Sequence, residues 1–242
     1  MTEELFREDA TLLECQATVR VADAAGVVLD RTVFYPTGGG QAGDTGALVL
    51  PDGTALKVVD TRKHKELPGA VLHVLAPDSD LSALQPGTPV TARIDAARRQ
   101  AHRRFHTATH LLCALVPHPV DGCSITAGYA RLDFHMAEPL DKDTLTAGIA
   151  RFVAGRHAVS HRWISEAELD ANPQLVRSMS VQPPRGLGRI RVLEIEGVDL
   201  QPCGGTHVAN TAEVGDVVVT KIEKKSAMTR RVVLGFAVPP AT

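Results

Sequence analysis

The sequence predicts an α+β protein in which a small β-barrel precedes a mixed domain. Three observations carry this reading. Short segments rich in Val, Leu and Thr recur from about Leu12 to Ile94 between turn signals, a long helical pattern begins after Asp95, and strand and helix patterns are mixed beyond it. The boundary is placed at Ile94, giving residues 1–94 as the barrel domain and 95–242 as the α+β domain.

In the first domain, Ala24-Ala25-Gly26 and Pro51-Asp52-Gly53 read as turns between strands. The segment Leu81 to Pro89, with Gly87 lying between Pro86 and Pro89, interrupts the pattern before a last short strand. Asp95 suits the N-cap of a helix from Ala96 to Val116, which Pro117 and Pro119 stop. Further on, Cys123 to Phe134 reads as strand, and Leu140 to His157 as a helix capped near Asp141. Arg189 to Ile195, Val217 to Ile222 and Val232 to Val238 complete the expected strands.

A chain of 242 residues buries a sizeable core without needing a metal to staple it. Its net charge of -2 argues against indiscriminate nucleic-acid binding. Cys15, Cys113, Cys123 and Cys203 form no disulfide-like framework, and MTEELFREDA is polar and acidic, unlike a signal peptide. A soluble protein of the reducing cytoplasm, with no membrane role, is expected.

Two split pairs dominate the chemistry: His106-Thr-Ala-Thr-His110 and Cys203-Gly-Gly-Thr-His207. Residues four apart on a helix share a face, so His106 and His110 can meet one ion. Gly204 and Gly205 permit a tight turn that brings Cys203 and His207 to the same point. One thiolate and three imidazoles favour a single Zn2+ over magnesium or calcium. Thr107 stands where a His-Glu-x-x-His metalloprotease carries its glutamate, so peptide hydrolysis is disfavoured. Arg99 and Arg103 share the helical stripe of the histidines, and Lys224, Lys225, Arg230 and Arg231 cluster downstream. Both groups are candidates for meeting nucleic-acid phosphate.

The stretch Phe34-Tyr-Pro-Thr37-Gly-Gly-Gly-Gln41 is the other unusual feature; it lacks the Gly-Lys-Ser/Thr of a phosphate-binding loop. Followed by Asp44-Thr-Gly46, then by His106-Thr-Ala-Thr-His110-Leu-Leu and Pro202-Cys-Gly-Gly-Thr-His207-Val, it resembles the free-standing alanyl-tRNA editing proteins, the AlaX family. The histidine and cysteine pairs alone would also resemble the editing domain of threonyl-tRNA synthetase; the glycine block favours the alanyl group.

The resemblance implies a translation-factor-like barrel packed on a tRNA-editing domain. It also implies a hydrolase acting in trans on mischarged tRNA(Ala), chiefly Ser-tRNA(Ala) and also Gly-tRNA(Ala), with zinc on His106, His110, Cys203 and His207. A pocket for alanine rejects an analogue that adds only a hydroxyl by roughly a hundredfold, so a second sieve is needed. Thr37, Thr109, Ser124 and Thr126 are candidates to meet the serine hydroxyl, and Gln41 is a candidate substrate-facing residue. A zinc-associated water would be the nucleophile, or the zinc would fix the substrate's amino group while a separate water attacks; no protein base is assigned. The alternatives are a non-catalytic, zinc-stabilised RNA-binding module and editing of Ser-tRNA(Thr).

Overall fold

The computed structural model describes residues 1–179, 183, 185–186 and 188–237. The chain divides into two compact units: Met1–Gly38 with Ala42–Gln100, and Gly39–Gln41 with Ala101–Thr242.

The first unit holds β1 (Glu3–Glu4), β2 (Glu14–Asp23), β3 (Gly26–Leu29), β4 (Arg31–Thr32), β5 (Gly46–Val49), β6 (Ala55–Lys63), β7 (Val71–Leu75) and β8 (Pro89–Ile94). Six of them close into an antiparallel barrel in the order β2-β3-β7-β6-β5-β8. Closure leaves no unpaired sheet edge. Val19, Leu29, Phe34, Leu48, Val58 and Ala92 fill the interior, and both expected turns fall between strands.

Polar side chains are buried with this core as well. Arg99, 1% exposed, pairs with Asp44 and also donates to the carbonyls of Val33 and Ala10. His73 is held through Nδ1 to the Val27 carbonyl at 2.9 Å and through Nε2 to Thr32 Oγ1 at 2.8 Å. Burial pushes its pKa down to about 4, so the ring is neutral, donating from one nitrogen and accepting at the other.

Helix α1 (Ala96–Leu115) starts where expected, with Asp95 Oδ1 accepting the Arg98 backbone N–H at 3.0 Å. The second unit continues with β9 (Val120–Ile125), β10 (Ala130–His135), α2 (Lys142–Ala154), β11 (Val159–Ser165) and α3 (Glu166–Ala171). After these come β12 (Arg189–Ile195), β13 (Asp199–Pro202), β14 (Val217–Ser226) and β15 (Thr229–Phe236). Two antiparallel sheets result, β14-β15-β10-β9 and β11-β12-β13. Phe105, Leu111 and Leu112 of α1 share one core with Ile125, Leu132, Phe134, Leu145, Ile149, Val232 and Leu234.

The elements differ from expectation in three places. Cys123 to Phe134 is a hairpin rather than one strand, because the Thr126 hydroxyl accepts the Gly128 and Tyr129 N–H groups and turns the chain. Helix α2 stops at Ala154, where Gly155 and the left-handed Arg156 (φ 53°) follow. Strand β15 begins at Thr229 rather than Val232, so the basic stretch Lys224 to Arg231 is the tip of a β14-β15 hairpin. Val238, the expected end of that strand, lies outside the described residues.

Candidate metal centre

The four metal-type side chains converge in the second unit. One donor atom each from His106, His110, Cys203 and His207 lie within 4.8 Å of one another. Cys203 Sγ is 3.5 Å from His106 Nε2 and 3.2 Å from His207 Nε2. Zinc with bonds of about 2.0–2.1 Å to nitrogen and about 2.3 Å to sulfur sets tetrahedral neighbours roughly 3.3–3.6 Å apart, so the two Cys203 separations are already close to those around a shared ion.

Each imidazole is anchored through the nitrogen that faces away from the sulfur. His106 Nδ1 donates to Gln41 Oε1 at 2.8 Å, His110 Nδ1 to Asp199 Oδ2 at 2.7 Å, and His207 Nδ1 to Thr107 Oγ1 at 3.2 Å. These bonds leave every Nε2 as the lone-pair donor, the arrangement that second-shell partners impose on metal-bound histidines. The residues present therefore fit a zinc ion.

Local sequence explains how the anchors arrive. In β13 and its continuation, side chains alternate, so Asp199, Gln201 and Cys203 share a face. Gln201 Nε2 donates to both Asp199 oxygens, at 3.0 and 2.9 Å, and fixes the carboxylate that holds His110. Gln41 accepts the Thr206 backbone N–H and donates to its hydroxyl, tying residues of the glycine block to the Cys203 loop. Arg191 donates to the carbonyls of Cys203 and Gly205, and Arg103 to that of His207 at 2.8 Å.

Neither Gly204 nor Gly205 is left-handed, so the pair acts through the missing Cβ rather than through a positive φ. Gly205 is required by proximity: a Cβ there would stand 2.1 Å from His106 Cε1. Gly40 is needed on both counts, with φ of 86° and Cys123 Sγ 2.8 Å from where a Cβ would sit.

The electrostatics suit a cation. Burial opposes charge on Cys203, but His106 and His207 outweigh it and hold the thiol well below its usual range, in the thiolate form that binds metal. Burial also disfavours a charged His110, yet Asp199 and Cys203 push its pKa up to about 10, so a metal binding at its Nε2 would displace a proton from that nitrogen. Burial, together with the charge of His106, holds His207 well below the ordinary histidine value. Cys113 and Cys123 are pushed up to about 12 by burial and stay thiols.

Other residues singled out in the sequence are placed as follows. Gln41 is fully buried against His106 and Thr206. Thr109 is buried and donates to the His106 carbonyl at 2.7 Å, while Thr126 is bonded within its own turn. Ser124 lies on β9 between Cys123 and Ile125, so its side chain takes the face opposite theirs. Thr37 belongs to the first unit, where its hydroxyl accepts the Gly43 N–H. Arg230 donates to the carbonyls of Ala137 and Ser226, Arg231 pairs with Asp133, and Lys224 and Lys225 are exposed. Asp199 and Arg191 were not singled out, and Thr107 was noted only for the glutamate it replaces. The alternation Asp199-x-Gln201-x-Cys203 was the available signal for the first of them.

Two family models match the chain. That described as the threonyl and alanyl tRNA synthetase second additional domain covers residues 190–233, and that of class II (A) tRNA synthetases covers residues 6–98. An alanyl-tRNA editing protein AlaX-M of Methanosarcina mazei is 34% identical, over 96% of this chain and 95% of its own. One from Saccharolobus solfataricus is 32% identical, over 96% and 98%. The alanine–tRNA ligase of Metallosphaera sedula is 35% identical over 92% of this chain, a quarter (25%) of the ligase. No helix among the described residues is long and apolar enough to cross a membrane.

Proposed function

Because the chain belongs to the alanyl-tRNA editing family, we propose that it hydrolyses the ester of mischarged tRNA(Ala), chiefly Ser-tRNA(Ala) and secondarily Gly-tRNA(Ala). The observation that carries this reading is the four-donor cluster with all three imidazoles anchored through Nδ1.

His106, His110, Cys203 and His207 would hold one zinc ion. When bound, the ion supplies positive charge that either activates water or fixes the substrate's amino group, according to whether a coordination position stays open. The chain's own residues do the positioning. Gln41, Asp199 and Thr107 aim the three Nε2 atoms, and Arg191 and Arg103 fasten the loop that carries Cys203 and His207. Serine is selected over alanine by a hydrogen bond to its hydroxyl, since alanine leaves that partner unpaired at about 1–3 kcal/mol. Thr37, Thr109, Ser124 and Thr126 are the hydroxyl-bearing candidates, and single alanine replacements rank them.

We assign the phosphate contacts to Lys224 and Lys225. Arg99, Arg103, Arg230 and Arg231 spend their donors on carbonyls and carboxylates inside their own units. Replacing both lysines by alanine should lower the slope of log affinity against log salt by about two. An unchanged slope rejects the assignment.

The deciding assay compares loss of Ser-tRNA(Ala), Gly-tRNA(Ala) and Ala-tRNA(Ala), with bound zinc quantified and His110→Ala in parallel. Serine release that needs His110, in a variant with intact circular dichroism, supports an editing hydrolase. Bound zinc without cleavage of any ester would indicate an RNA-binding module instead. Faster cleavage of Ser-tRNA(Thr) than of Ser-tRNA(Ala) would reassign the carrier.

A further inference from the structure

The chain's one tryptophan, Trp163, stands half-exposed on β11 with the Arg189 guanidinium 4.4 Å from its ring centre. Arg189 is exposed and forms no ion pair among the described residues. An open indole paired with an unneutralised guanidinium presents two stacking surfaces and a charge, the combination that binds unpaired nucleobases beside their phosphates.

Its position follows from strand register. Trp163 lies directly opposite Arg191 in the β11-β12 pair, and the Cys203 N–H reaches the Arg191 carbonyl at 3.1 Å, one step beyond the Val192–Pro202 pair of β12-β13. Opposed residues of antiparallel strands point to the same face. Trp163, Arg191 and Cys203 therefore form a row across the sheet, with Arg191 buried between the indole and the metal cluster. Two strand spacings separate the ends of the row, about 10 Å. A single strand covers that distance in about three nucleotides when stacked at about 3.4 Å each, and in fewer when extended. The opposite face of the sheet is closed off, its Ile164, Ile190 and Val192 packed with Leu169 of α3.

We propose that Trp163 and Arg189 form a nucleobase-binding platform that stacks an unpaired base at the 3′ end of the tRNA while the terminal ester lies at the Cys203 cluster. The proposal rests on the editing reading for its ligand, and is tested apart from it. With a single tryptophan, intrinsic fluorescence reports this site alone. Deacylated tRNA(Ala) should quench it saturably, whereas the same tRNA lacking its last four nucleotides should not. Trp163→Leu should raise the KM for Ser-tRNA(Ala) by about 5- to 150-fold, the loss expected for one base–aromatic stack, with kcat and zinc content unchanged. Trp163→Phe should recover most of it. Absent quenching, equal quenching by the truncated tRNA, or a wild-type KM in a folded Trp163→Leu protein overturns the platform. Specific quenching in a protein that cleaves no ester would instead sink the editing reading and leave the platform standing.

Discussion

Asp199 determines which nitrogen His110 offers to a metal, and Gln41 does the same for His106. Removing such a partner weakens metal affinity by about 10- to 100-fold, so Asp199→Ala and Gln41→Ala should each lose zinc to a competing chelator at correspondingly lower concentration. Wild-type zinc retention in both variants would show that the anchors do not tune the site. The four-donor cluster itself was legible because each pair is local, four residues apart on a helix or across a short loop. The anchors were not. Gln41 lies 65 residues from His106, and Asp199 lies 89 residues from His110, distances at which a single sequence carries no pairing signal.

At the scale of elements, the barrel carries two polar liabilities with opposite remedies. His73 is buried neutral, with its pKa pushed from 6.5 down to about 4. Between those values the unfolded chain binds more protons, so stability is fully present above pH 6.5 and is lost as pH falls towards 4, by about 3 kcal/mol. Denaturant titrations of wild type and His73→Gln at pH 7 and pH 4.5 should show the wild type losing more; equal losses would count against this origin. Asp44 and Arg99 are instead buried as a charged pair, and Asp44→Ala strands the guanidinium. The expected cost is about 3–5 kcal/mol, read as a lower denaturation midpoint. Long periodic elements such as α1 and β12 were legible, β12 to the residue. The β9-β10 turn was not, because Thr126-Ala-Gly-Tyr129 sits inside an otherwise strand-like run and turns through one hydroxyl. Strand β13 is four residues long and α3 six, too short for periodicity to register.

For the whole chain, the order of architectures was readable, since turn-punctuated strands precede the helix that carries the first histidine pair. The membership of Gly39–Gln41 in the second unit was not, because it depends on Gly40 pairing with Ile125 and Gln41 meeting Thr206. Zinc at a hundred times its dissociation constant should add about 2.7 kcal/mol to folding, so stripping it should lower the thermal midpoint and restoring it should recover the loss. An unchanged midpoint would mean that the ion does not distinguish folded from unfolded chain. The two ligand pairs also have a history that the finished fold conceals. Cys203 and His106 are 97 residues apart, so an ion joining them tethers a long stretch of chain, and a tether across about 100 residues restricts an unfolded polypeptide far more than a local one does. On the ribosome, the helix with its two histidines is made long before its partners exist. Any metal competence would thus arrive late in synthesis, and a nascent chain halted before Cys203 would carry half of the four-donor cluster with nothing to close it.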